Sequence, residues 1–119
     1  MALSTVWVLA EARDGRARIS FEWDAEEGFA LGYHLFDAET GTVIEDGPRV
    51  LPENKGWTPV AIECPLPPEP GRYRIFVSPL EENVGWEYES GKPFVMVEAA
   101  VSEGARIERA AVVTRGQLA

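Results

Sequence analysis

The 119 residues contain a single cysteine, Cys64, so no intramolecular disulfide can form and the stapled framework of a small secreted domain is excluded. That points to a reducing compartment, and a cytoplasmic location is the expectation. His34 is the one histidine, which rules out zinc-type sites that draw on several Cys and His ligands. No apolar run approaches the ~20 residues a membrane helix needs. The N-terminal MALSTVWVLAEARDG lacks the basic region that opens a signal peptide, and charge arrives at Glu11 and Arg13. A soluble protein without a leader is expected. Cations are also scarce: 11 Lys and Arg face 20 Asp and Glu, for a net charge of -9. A surface this negative repels phosphate backbones and anionic headgroups, so nucleic-acid and membrane-surface partners are disfavoured. Apolar spacing at three and four residues is never sustained, so no helix is expected.

What is present is an ordinary globular composition, 45% hydrophobic and 26% charged, in a length that suits one core. Residues 1–119 therefore read as a single domain ending in a short polar tail. Short period-two runs recur between Gly, Pro, Asn and Asp. In RARISFEW, Ala17, Ile19, Phe21 and Trp23 share one face, and Arg16, Arg18, Ser20 and Glu22 the other. ALGYHLFDAETGTVIEDG places Leu31, Tyr33 and Leu35 on one face, turns between Asp37 and Gly41, and returns through Thr42, Val43 and Ile44 as a hairpin. WTPVAIECPL follows, with Cys64 in alternation with Val60 and Ile62 as a buried strand thiol. The proline-rich break from Pro65 to Pro70 then stops strand pairing. GRYRIFVSPL, the apolar strand from Phe94 to Val101 and a last strand from Ala105 to Thr114 complete seven to nine strands. Strands this short at ten-residue spacing, with no helices, predict an all-β fold: an immunoglobulin-like two-sheet antiparallel β-sandwich.

Catalytic chemistry finds no foothold. No nucleophile-elbow sequence orients a serine toward His34, and the glycines stand singly at turns instead of forming a phosphate-cradling loop. Asp24, Glu26 and Glu27 share a loop but lack EF-hand spacing. No catalytic residue, metal or cofactor is assigned, and the chain reads as a non-enzyme. Carboxylates converging on His34 in a pocket would reopen a hydrolase or isomerase reading.

Aromatic placement is more informative. Trp7, Trp23, Trp57 and Trp86, with Tyr33, Tyr73 and Tyr88, exceed what a core this size needs, and indole and phenol rings suit half-wet surfaces. Trp23 and Phe21 read as core. Tyr73, in PGRYRIFV, reads as a strand-start tyrosine whose hydroxyl ties down a corner. Trp86 and Tyr88 lie between acidic residues beside Gly85 and Gly91, and Trp57 is flanked by Lys55, Gly56 and Thr58. His34 shares a strand face with Gly32 and Phe36. Sugars present C–H faces to such rings and hydroxyls to carboxylates and imidazoles, so Trp86, Tyr88, His34 and Trp57 are the candidate carbohydrate-binding residues.

The succession LGYHLFDAETGTVI, PLPPEPGRYRIFVSPL and GWEYESGKPFVMVEA resembles the C-terminal glycan-binding domain of Wzt-type O-antigen ABC transporters. The likeness rests on Gly32, Tyr33, Asp37 and Gly41, then Pro70, Gly71, Arg72 and Tyr73, then Trp86, and spans roughly residues 17–101. It implies a cytoplasmic module that binds a polysaccharide or lipid-linked glycan before export, often as a homodimer. No ATPase domain precedes the module in these residues, so the expectation is an accessory to an ABC transporter or a glycosyltransferase. The competing expectation is a protein-interaction or dimerisation sandwich that pairs through an edge strand such as residues 112–114.

Overall fold

The computed structural model describes residues 7–118, and for Arg115 and Leu118 the backbone alone. The first six residues of the N-terminal apolar run lie outside that span. Alternation decides the strands. RARISFEWDA forms β2 (Arg16–Ala25), with Ala17, Ile19, Phe21, Trp23 and Ala25 buried and their neighbours turned outward. A strand absent from the sequence reading precedes it, β1 (Leu9–Arg13), joined to β2 through Asp14 and Gly15 at φ 51° and 75°. Two successive positive φ angles define the type I′ turn that matches strand twist, and Asp-Gly is the pair best suited to it.

The chain continues through β3 (Ala30–Asp37), β4 (Val43–Asp46), β5 (Gly56–Pro65), β6 (Gly71–Glu81), the two-residue β7 (Gly85–Trp86), β8 (Phe94–Val101) and β9 (Ala105–Val113). Asp37 shapes the β3–β4 turn by accepting bonds from the amides of Glu39 and Thr40 at 2.8 and 3.3 Å. Three strands form one antiparallel sheet in the order β1-β2-β5, and the larger sheet runs β4-β3-β6-β8-β9 with β7 paired to β6. Among the described residues the helical segments are two 3-10 turns, Glu87–Ser90 and Arg115–Leu118, and no helix is long and apolar enough to cross a membrane. The second turn occupies the expected polar tail, where the Gln117 side chain accepts from the Thr114 amide at 2.6 Å.

The two sheets face each other across one core. Ile19, Phe21, Trp23, Val60, Ile62 and Cys64 from the smaller sheet meet Leu31, Tyr33, Leu35, Ile75, Val77, Val95 and Val97 from the larger. Each fully buried side chain of this size contributes roughly 1.5–3 kcal/mol, so this interlayer supplies the main driving force for folding. The result is a β-sandwich. Tyr73 ties down the corner at the start of β6: its hydroxyl donates to the Glu69 carbonyl at 2.7 Å.

β5 is an edge strand paired to β2 continuously from Gly56 to Pro65. Pro59 and Pro65 are an even number of residues apart, so both missing amide donors fall on the same side of the strand, its free edge.

Candidate functional site

Burial of β3 and β6 does not stop at the core face. On the outer side of the larger sheet, His34 and Phe36 of β3 lie beside Phe76 of β6, in register as His34↔Phe76. Phe94 and Met96 of β8 and Val113 of β9 extend this layer as a second buried cluster against Phe76 and Tyr88. Ring centroids of Phe36–Phe76 and Phe76–Phe94 are both 4.7 Å apart, a separation at which aromatic pairs add about 0.5–1.5 kcal/mol beyond their area. Farther along the same face the chemistry changes to ion pairs, Arg74–Glu98 and Arg72–Glu108, both at 3.5 Å.

A flap built from β7 and the 3-10 turn covers the aromatic half. Its conformation is fixed locally. Asn83 and Gly91 take positive φ angles of 65° and 83°, turning the chain into and out of the flap. Buried Ser78 on β6 accepts from the Tyr88 amide at 3.1 Å and donates to the Pro79 carbonyl at 2.9 Å. Glu87 is buried, and its Oε2 meets the Lys92 ammonium at 3.1 Å.

Three of the four residues nominated from the sequence meet where this flap packs on β3, Trp86 and Tyr88 from the flap and His34 beneath it. The His34 imidazole lies 4.0 Å from the Trp86 indole between ring centres, with the planes 31° apart, and stands edge-on to Tyr88 at 5.8 Å. His34 Nδ1 and the Tyr88 hydroxyl are 2.7 Å apart, while Nε2 lies 3.5 Å from Asp46 Oδ2. With Nε2 protonated beside the carboxylate, Nδ1 is the acceptor and the phenol donates. Trp86 closes the two-residue strand and Tyr88 sits in the turn, so the two rings are brought together by a change of backbone direction, 5.7 Å apart, and not by strand alternation.

Around the rings stands a polar rim that the sequence reading did not nominate. Arg49 lies over the Trp86 ring at 4.9 Å, donates to Asp46 Oδ1 at 2.6 Å and donates through Nε to Glu82 at 3.1 Å. Its loop is held against β3: the Gly47 amide donates to the Tyr33 carbonyl at 2.9 Å, and a side chain at Gly47 would collide with the Tyr33 ring. The Arg49 guanidinium holds the Asp46 carboxyl below the usual range, and Asp46 in turn pushes Arg49 up. Burial pushes the Tyr88 phenol up to about 12, so at neutral pH it stays a proton donor to His34 and is not an ionised nucleophile. The Asp46–His34–Tyr88 chain therefore orients an imidazole and a phenol. Asp46 and Glu82 are both more than half exposed, and they give the rim open acceptors next to aromatic surface.

Trp57 lies elsewhere. It projects outward from β5 in the smaller sheet, opposite Asp24 of β2, and is 55% exposed. Asp24 does not share the loop of Glu26 and Glu27 but belongs to β2, where strand pairing with Trp57 fixes it, and the three form no metal-holding cluster among the described residues. No protein family model, curated protein or solved structure matches the chain.

Proposed function

We propose that this is an immunoglobulin-like, non-catalytic carbohydrate-binding module that recognises a bacterial surface polysaccharide, of the O-antigen kind, during export or assembly. The observation that carries the reading is the convergence of Trp86 and Tyr88 of the flap on His34 of β3, with Asp46, Arg49 and Glu82 around them. Aromatic rings match sugar C–H faces, and charged side chains with spare hydrogen-bonding capacity match hydroxyls. The immunoglobulin-like assignment is supported by the strand orders β1-β2-β5 and β4-β3-β6-β8-β9, in which A-B-E faces C′-C-F-G and β9 is an added strand beyond G, with the tyrosine corner on the sixth strand. The partners that follow are a polysaccharide or lipid-linked glycan and an ABC transporter or glycosyltransferase.

Tryptophan fluorescence and NMR shift titrations against bacterial surface polysaccharides and their oligosaccharides test the reading. Saturable shifts at Trp86, Tyr88 and His34, weakened on the order of tenfold or more by Trp86→Ala, are the expected result. Silence across the panel, or shifts confined to other surfaces, refutes it. The exposed Leu51 and Trp57 favour a second, protein-binding capacity.

A further inference from the structure

The loop that returns the chain from β4 to β5 supplies Arg49 to the aromatic site and, beyond it, forms a second surface. Val50 is fixed to β3 by reciprocal backbone bonds with Leu31, 2.9 and 2.7 Å long, although it lies between strands. Leu51 then projects outward at 74% exposure, Pro52 follows, and Trp57 stands 55% exposed where β5 begins. Val50, Leu51, Pro52, Trp57 and Pro59 line one cleft of about 500 Å³, with buried Trp23 behind it. Trp23 is wholly buried, yet its indole Nε1 has no hydrogen-bond partner among the described residues. Large exposed apolar side chains gathered round a cleft mark an interaction surface more strongly than the same residues scattered.

The chemistry of the surroundings selects the occupant. Glu53 lines the cleft, Asp24 pairs with Trp57 in the strand register, and Glu22 pairs with Pro59. Lys55, which also lines the cleft, is already held by Glu27 at 3.1 Å. A second copy would bring this carboxylate rim against its own image in a chain of net charge -9, and like charges facing across an interface suppress association. Branched aliphatic side chains beside the indole suit an apolar anchor better than a sugar face. We infer that the Val50–Leu51–Trp57 cleft docks a basic peptide segment of a partner protein, an apolar anchor residue flanked by Lys or Arg. The anchor fills the cleft, and its cationic flanks pair with Glu22, Asp24 and Glu53 and stack on Trp57.

The test is an NMR titration of the isotope-labelled full chain with a synthetic peptide, Lys-Lys-Phe-Leu-Lys-Lys, capped at both ends. Two further peptides serve as controls, one with Glu in place of every Lys and one with Ser in place of Phe and Leu. The expected result is saturable shifts at Val50, Leu51 and Trp57 with the basic apolar peptide alone, weakening as salt is raised. Trp57→Ala and Leu51→Ser each weaken binding on the order of tenfold. Leu51 is mostly exposed on a loop, so its substitution leaves folding intact and the comparison interpretable. Equal binding by either control peptide, no shifts at these residues, or shifts unaltered by Leu51→Ser overturns the inference. Broadening of the same resonances with protein concentration alone assigns the cleft to a second copy, and saturation by oligosaccharides assigns it to glycan; either outcome also overturns it. Trp86 and Tyr88 report on the carbohydrate reading separately in the same spectra.

Discussion

Trp86 packs over Gly32 so closely that a β-carbon at residue 32 would stand 2.9 Å from the indole Cη2, 3.0 Å from Leu80 Cδ2 and 3.2 Å from Arg49 Cδ. Gly32 adopts ordinary strand geometry, so the demand is for space and not for an unusual backbone angle. Gly32→Ala should push the indole off His34, lower stability by about 1–3 kcal/mol and shift the Trp86 emission. Denaturant unfolding followed by fluorescence checks both, and an unchanged midpoint and spectrum would show that the flap yields freely.

Tyr73 carries one hydroxyl bond at a corner between sheets, to the Glu69 carbonyl. Tyr73→Phe keeps the ring and removes that bond, and the expected cost is about 1 kcal/mol. Thermal unfolding measured beside the parent protein decides it. A loss within error of zero would mean that the proline-rich segment holds its path unaided.

Cys64 is completely buried, and burial pushes its thiol up to about 12. The thiolate is the reactive species, so alkylation at neutral pH should run at least about a hundred times more slowly in the native protein than in denaturant. Mass spectrometry of timed quenches provides the rates. Fast native labelling would show that β5 opens readily from β2.

Burial raises the phenol of Tyr88 to about 12, and burial also raises those of Tyr33 and Tyr73. Because the folded values exceed the unfolded one near 10, the protonated phenols contribute stability that is intact below about pH 10 and is lost as pH rises through the folded values. Phenolate absorbance and circular dichroism should therefore change together in one alkaline transition. Ionisation of Tyr88 well before unfolding would show that its hydroxyl is open to solvent in the native state.

The layered fold was legible in the alternation of Ala17, Ile19, Phe21 and Trp23 and in the turn signal at Asp37 and Gly41, because burial of one sheet face leaves a period of two. β1 escaped notice although its Asp14-Gly15 pair is a strong hairpin signal: its inward positions are filled by Ala10 and Ala12, which give little hydropathy contrast. The aromatic half of the site was legible in part, since His34, Trp86 and Tyr88 stood out as residue types. Phe36, Phe76 and Phe94 did not, although their strands carry apolar residues on both faces, the mark of a sheet covered on each side. Asp46, Arg49 and Glu82 left no signal, because their pairing depends on a loop folding back over β3 and bringing residues 33 apart in sequence to 3.1 Å.

The prolines of β5 bear on how this protein can be recognised. An intact strand edge invites any extended chain to add itself through backbone hydrogen bonds, a grip that is nearly blind to sequence. With donors missing at Pro59 and Pro65, that generic handhold is interrupted along the strand that carries Trp57. A chain arriving there must be read by its side chains, and discrimination between partners at this edge becomes a property of composition and charge.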